Sequence, residues 1–281
     1  LDRIRCLVFQ LWILGGFDAG EHLDSIEMSE AGDNFTTMIG VLPDKRHSFG
    51  SVCLNDKIYI FGGFAHNVEK PTPTVKIYAP KENAWSEALP LPQGDVVTGA
   101  TIADNKLFVL TRNHFYKSDQ AISKWKSLPE FPHQHGFTTG LAYIGNYLYA
   151  CGENGTCYKF DLATEKWSPI ASMDDRVSWY AIGSFQDQLY AAGGYNHNLQ
   201  RQASAERYDP QSDQWSAIAP LSSPRDDFVL LPWKGLLVAS GGATADGITV
   251  VDVEGYDVEM NAWQRLGSLN EKRGAHSMVA C

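Results

Sequence analysis

The sequence predicts an all-β fold: a six-bladed propeller of four-stranded antiparallel blades. Three observations predict it. A composite pattern of short strands returns about every 40–50 residues, the period of propeller blades. Apolar runs end in double glycines at Gly15-Gly16, Gly62-Gly63, Gly193-Gly194 and Gly241-Gly242. Tryptophans follow in phase at Trp85, Trp125, Trp167, Trp215 and Trp263, with Phe35 in the equivalent place at the start.

Residues 188–222 form the clearest unit. Leu189-Tyr190-Ala191-Ala192-Gly193-Gly194-Tyr195 reads as a strand ending in a tight backbone feature, and a polar loop follows. A second strand ends at Asp209-Pro210, where proline presets the backbone for a turn. A third carries Trp215. The steps between the signature aromatics are 50, 40, 42, 48 and 48 residues, one blade each. Seven residues ahead of them stand Met28, Tyr78, Ser118, Phe160, Tyr208 and Tyr256. The third copy has Thr111-Arg112 in place of the double glycine, and the fourth has Gly152-Glu153. Tryptophan supplies a wide apolar plate between wedge-shaped blades. Glycine admits close backbone approach and unusual φ.

The chain then divides as one propeller domain over 1–281. Blade 1 takes 1–43 plus 271–281, blade 2 44–92, blade 3 93–132, blade 4 133–173, blade 5 174–222 and blade 6 223–270. Blade 1 lacks its own first strand, and the C-terminal segment Lys272 to Ala280 is expected to supply it. That closes the ring and removes two exposed sheet edges. Long loops are expected on blade 2 (65–73) and blade 5 (196–204). A tight turn is expected at Gly152-Glu153-Asn154-Gly155.

Composition narrows the function classes. The chain has 281 residues and a formal net charge of −10. An acidic chain with scattered lysines is no default binder of nucleic acid or of anionic membranes. No apolar run is long enough for a membrane helix. The segment 6–14 follows Arg3 and Arg5 and has the charge and apolarity of a signal peptide. It ends in Gly15-Gly16, however, and is read as a strand of blade 1 in an excised domain. The five cysteines, Cys6, Cys53, Cys151, Cys157 and Cys281, are odd in number and contain no C-x-x-C. They are read as reduced thiols, with Cys151 and Cys157 close enough in sequence to meet across a hairpin. Glycosylation-type triplets occur at Asn34-Phe35-Thr36 and Asn154-Gly155-Thr156 and carry no meaning in a cytosolic protein.

Catalytic signatures are absent. There is no G-x-S-x-G, no H-E-x-x-H and no phosphate loop. His133-Gln134-His135 is the one close histidine pair and lacks an evident third ligand. Asp174-Asp175 and Asp226-Asp227 are adjacent carboxylates, which on a strand point to opposite faces. The expectation is a non-enzymatic chain with no metal and no cofactor.

Two sets of loop residues converge on one mouth of a propeller. After the second strands stand Phe17, Phe64, Asn113, Asn154, Tyr195 and Ala243. Before the first strands stand Arg46-His47, Val96, Phe137, Ser178-Trp179, Arg225-Asp226 and Arg273. Aromatic residues and arginines ringed by polar groups make protein-binding hot spots. From these sets Phe17, Arg46, His47, Phe64, Asn113, Asn154, Ser178, Trp179, Tyr195, Arg225, Asp226 and Arg273 are expected to bind a protein segment.

Ile58-Tyr59-Ile60-Phe61-Gly62-Gly63, Glu206-Arg207-Tyr208-Asp209-Pro210 with Trp215, and Ser223-Pro224-Arg225 resemble kelch repeats. The likeness is greatest to the kelch domains of kelch-like (BTB-kelch) adaptors and covers nearly the whole chain. The resemblance implies a cytoplasmic protein with BTB and BACK domains that presents its captured partner to a cullin-RING ubiquitin ligase. It also implies that Tyr195, Phe64, Phe17, Ser178, Arg46 and Arg225 hold the partner. Blades 3 and 4 carry Gly94-Asp95 and Gln134-His135 where such relatives place arginine. The expected ligand is therefore less acidic than that of a strongly basic relative. Two rival readings are an actin- or filament-binding scaffold and a kelch-fold sugar epimerase.

Overall fold

The computed structural model describes residues 10–29, 36–66, 68–132, 140–173, 178–244 and 246–281. Six four-stranded antiparallel sheets stand around a channel. In blade 2 the order is Gly50–Leu54, Lys57–Phe61, Val75–Ala79 and Ala84–Ala88, from the channel outward. The other blades repeat it, with first strands at Val97–Ala103, Ala142–Ile144, Ala181–Phe185, Val229–Trp233 and Ser277–Ala280. The only helical turn among the described residues is Glu153–Gly155, at the expected tight turn. No helix among the described residues is long and apolar enough to cross a membrane.

The cores lie between blades. Side chains alternate along a strand, so a second strand covered on both sides reads as a continuous apolar run. Ile58 and Ile60 pack with Trp12, Leu14 and Ile26 of blade 1. Tyr59 and Phe61 pack with Leu107, Val109 and Tyr116 of blade 3. First and second strands turn through Asn55-Asp56, Asp104-Asn105, Gln186-Asp187 and Lys234-Gly235, each with positive φ at both positions. That conformation matches the twist of the flanking strands.

The signature aromatics staple neighbours together. The indole N–H of Trp125 donates to Leu89 O at 3.1 Å, that of Trp167 to Pro129 O at 3.0 Å, and those of Trp215 and Trp263 to Ala171 O and Ala219 O at 2.8 Å. Each acceptor lies in the preceding blade. The aromatic seven residues earlier packs on its tryptophan; the Tyr208 and Trp215 centroids are 5.3 Å apart. The hydroxyls of Tyr78, Tyr208 and Tyr256 each donate at 2.8 Å to the residue five further on, Asn83, Asp213 and Asn261. Those three acceptors have positive φ, which Asn and Asp tolerate.

The ring closes as the repeat requires. Ser277–Ala280 pairs antiparallel with Leu11–Asp18, Leu14 opposite Ser277 and Leu11 opposite Ala280. Gln10 and Cys281 exchange both backbone hydrogen bonds, at 2.8 and 2.9 Å. The reduced-thiol reading of the cysteines is corrected here. Cys53 is bonded to Cys281, and Cys151 to Cys157. The first pair was hidden in sequence because its partners lie 228 residues apart and meet only where blade 1 closes against blade 2. Cys6, Asn34, Phe35, His133, His135, Phe137 and Asp174-Asp175 lie outside the described residues.

Candidate functional site

At one mouth of the channel the segment opening each blade meets the segment leaving the double glycine. Arg46 pairs with Ala65 and His47 with Phe64. Arg225 pairs with Thr244 and Asp226 with Ala243. Single bridges join Ser178 to Tyr195 and Phe17 to Gly274. In blade 3, where arginine is missing, buried Asp95 does the tying. Its carboxylate accepts from Thr111 Oγ1 at 2.8 Å and from the Asn113 N–H at 2.9 Å. The two loop sets expected from sequence are thus brought together. Asn154 stands exposed at the tip of its own turn.

A backbone belt runs around this mouth. The Ala275 N–H donates to Asp227 O at 2.9 Å, the Ser48 N–H to Ala275 O at 2.9 Å, and the Val97 N–H to Ser48 O at 3.1 Å. Ser48, Asp227 and Ala275 all adopt positive φ to do so.

The arginines are a correction. Arg46, Arg225 and Arg273 are 0% exposed and cannot touch a partner. Each guanidinium donates to the carbonyl of the first glycine of its own blade, Gly62, Gly241 and Gly15 respectively. Each is also neutralised by a carboxylate. Arg46 Nε lies 2.5 Å from Asp44, Arg225 Nη2 2.5 Å from Glu254, and Arg273 Nη2 2.5 Å from Glu27. Burying a guanidinium requires such pairing. In sequence a structural arginine and a binding arginine at a loop look alike; the distant Glu27 and Glu254 that neutralise them gave no local signal.

What remains accessible falls into two clusters. Over blades 1 and 2, Phe17, His22, His47, Phe64 and His66 pack ring against ring, with His47 stacked on Phe64 at 5.3 Å and His22 at 4.7 Å from His47. Burial first, then His22, holds the His47 imidazole down to about 4. His47 is therefore neutral at ordinary pH. Among the described residues no three His, Cys, Asp or Glu side chains are arranged to hold a metal ion.

Over blades 5 and 6, Ser178, Trp179, Tyr195, Leu199, Arg201, Asp226 and Asp227 line a cleft of about 430 Å³. Trp179 is 39% exposed and Leu199 77% exposed. Arg201 lies over the Tyr195 ring at 5.1 Å and its Nε donates to Asp226 at 2.8 Å. Asp226 is buried and so is tied to this pair rather than offered outward. Asp227 adopts φ 53° and also lines the channel, a cavity of about 580 Å³. Burial, and then the Asp226 charge, push its carboxyl up to about 7. Leu199, Arg201 and Asp227 were not expected at this site. The loop at 196–204 folds back through a Tyr195–Arg201 bridge, and nothing in its local sequence foretells that return.

Comparison with known proteins agrees with this architecture. The Kelch motif matches residues 45–92 and 180–222. Kelch-like protein 13 of Homo sapiens is 30% identical over 94 residues, covering 28% of this chain and 13% of the relative. Kelch-like protein 25 of Xenopus tropicalis is 27% identical over 171 residues, 53% of this chain and 29% of the relative. Kelch repeat protein C2 of Vaccinia virus (strain Western Reserve) is 26% identical over 177 residues, 61% of this chain and 34% of the relative. The matched stretches thus span at most about a third of these relatives' lengths. The solved structure of YjhT superposes with a TM-score of 0.73 at 18% identity, over 91% of this chain and 97% of that one. Phased strands, a ring of six sheets and the matched motifs lead to one conclusion: the chain is a six-bladed β-propeller that carries Kelch motifs and resembles the kelch-like proteins.

Proposed function

We propose that this propeller is a non-enzymatic module that captures a segment of a partner protein at the mouth formed by the paired loops. One observation supports this above the others. Exposed Trp179 and Leu199 border a cleft of about 430 Å³ beside the channel. Aromatic anchors beside a concave pocket concentrate binding energy. A rigid ring lowers the ordering cost of binding. Phe17, Phe64 and His47 extend the face over blades 1 and 2. The resemblance to kelch-like proteins supports a finer reading: within a longer, cytoplasmic protein this domain would serve as the substrate receptor of a cullin-RING ubiquitin ligase.

A second reading has its own observation. Disulfides such as Cys53–Cys281 and Cys151–Cys157 persist in oxidising compartments. They favour a binding module that works outside the cytosol, with no ligase. Thiol trapping during cell lysis separates the two: four protected cysteines support the second reading, and four alkylated ones the ligase receptor. Binding itself is tested by selecting random peptides on the immobilised domain. Selected peptides should lose at least about tenfold in affinity with Trp179→Ala. Unchanged affinity for that variant places the site elsewhere.

A further inference from the structure

We propose that the captured segment carries a lysine or arginine whose cationic head enters the cleft between blades 5 and 6 and pairs with the Asp227 carboxylate. This rests on the reading of the mouth as a peptide-binding face and specifies its ligand.

Among the described residues the cleft holds two carboxylates and one cation. Arg201 is committed to Asp226, at 2.8 Å, and to the Tyr195 face. Asp227 has neither a hydrogen bond nor an ion pair to its carboxylate among the described residues. It lines both the cleft and the channel. Burial and then the Asp226 charge raise the proton affinity of the Asp227 carboxyl, and Arg201 offsets only part of this. Such sites concentrate where a ligand completes the charge. The belt bond from Ala275, in the segment that completes blade 1, ties the Asp227 backbone at 2.9 Å.

The walls fit the same ligand. Trp179, 39% exposed, borders the same cleft, and aromatic rings attract ammonium and guanidinium groups. Leu199, exposed at the rim, covers the aliphatic stem of a long basic side chain. An acidic chain of net charge −10 attracts a basic segment over distance. An acidic segment would meet Asp227 directly and be repelled.

The test uses the whole 281-residue chain. Random peptides are selected on it at a pH of about 8, where a carboxyl of pKa about 7 is ionised. Affinities are then measured for wild type, Asp227→Asn, Trp179→Ala and Leu199→Ser. Asparagine tolerates positive φ, and matching melting transitions check that each variant is folded. Selected peptides are expected to carry lysine or arginine. Replacing it by norleucine or citrulline should cost roughly tenfold or more on wild type, the size of a charge-assisted contact, and little on Asp227→Asn. Peptides that lose affinity with Trp179→Ala or Leu199→Ser, yet carry no cation or bind Asp227→Asn equally well, overturn this inference and leave the face intact. Peptides indifferent to all three variants, or no selected peptide at all, overturn both.

Discussion

The backbone N–H of Gly194 donates to the carbonyl of Arg225 at 2.8 Å, across the boundary between blades 5 and 6. The same bond joins Gly63 to Asp95 at 3.0 Å and Gly242 to Arg273 at 2.9 Å. The double glycine is therefore a joint between blades, and its first member has no room for a side chain. A Cβ on Gly193 would meet Arg225 O at 2.4 Å, and its φ is +66°. Gly193→Ala should cost roughly 1–2 kcal/mol from the left-handed backbone alone, with the clash added. Denaturant unfolding measures it. A variant as stable as wild type would mean the joint is loose.

Arg225 is expected to be a stability residue, not a contact. Removing one partner of a buried pair leaves an uncompensated charge and costs about 3–5 kcal/mol. Arg225→Ala should fall in that range. Arg225→Met combined with Glu254→Leu should recover most of the loss, because no lone charge remains. A double variant as unstable as the single one would reject the assignment.

The two disulfides should contribute unequally. In the chain-entropy view a crosslink stabilises more as its loop lengthens. Cys53–Cys281 closes 228 residues and Cys151–Cys157 only 6. The estimates are about 5 and about 2 kcal/mol. Cys281→Ser and Cys157→Ser, each unfolded without reductant, give the comparison. Equal losses would show that ring closure owes nothing to the longer bond.

Asp227 gives a signed dependence on pH. Its folded carboxyl titrates at about 7, above the ordinary carboxylate value of about 3.9. A raised pKa contributes stability that is full below the unfolded value and lost as pH rises through the folded one. Wild type and Asp227→Asn should melt alike near pH 4, and the variant should melt higher near pH 8. The facing groups are Asp226, whose charge raises the value, and Arg201, which lowers it. Affinity for a basic peptide should run oppositely and weaken as pH falls below about 7, where the carboxylate takes a proton. Parallel melting curves at both pH values would contradict the assignment.

The sequence made the ring legible because its signals are local. Double glycines, Tyr-to-Trp spacing and two-sided apolar strands each report a contact the repeat must make. Closure by 277–280 was legible because blade 1 lacked an inner strand. The loop pairing at the mouth followed from the same geometry. Other features depended on contacts across blades. Arg225 and Arg273 look like binding residues in sequence because Glu254 and Glu27 sit far along the chain, and Arg46 does so although Asp44 lies only two residues away. The disulfide of Cys53 joins opposite ends of the sequence. Asp227 gives no such signal in sequence, because adjacent residues on a strand face opposite ways. It lies in a left-handed turn instead, φ 53°, and that turn redirects its side chain.

Amide hydrogen exchange of the domain, with and without a saturating selected peptide, tests the binding face most directly. Protection is expected at 178–180, 195–201 and 226–228, where the loops of blades 5 and 6 enclose the cleft. Protection confined to the opposite mouth, at the turns around Asn55, Asp104, Gln186 and Lys234, would contradict it.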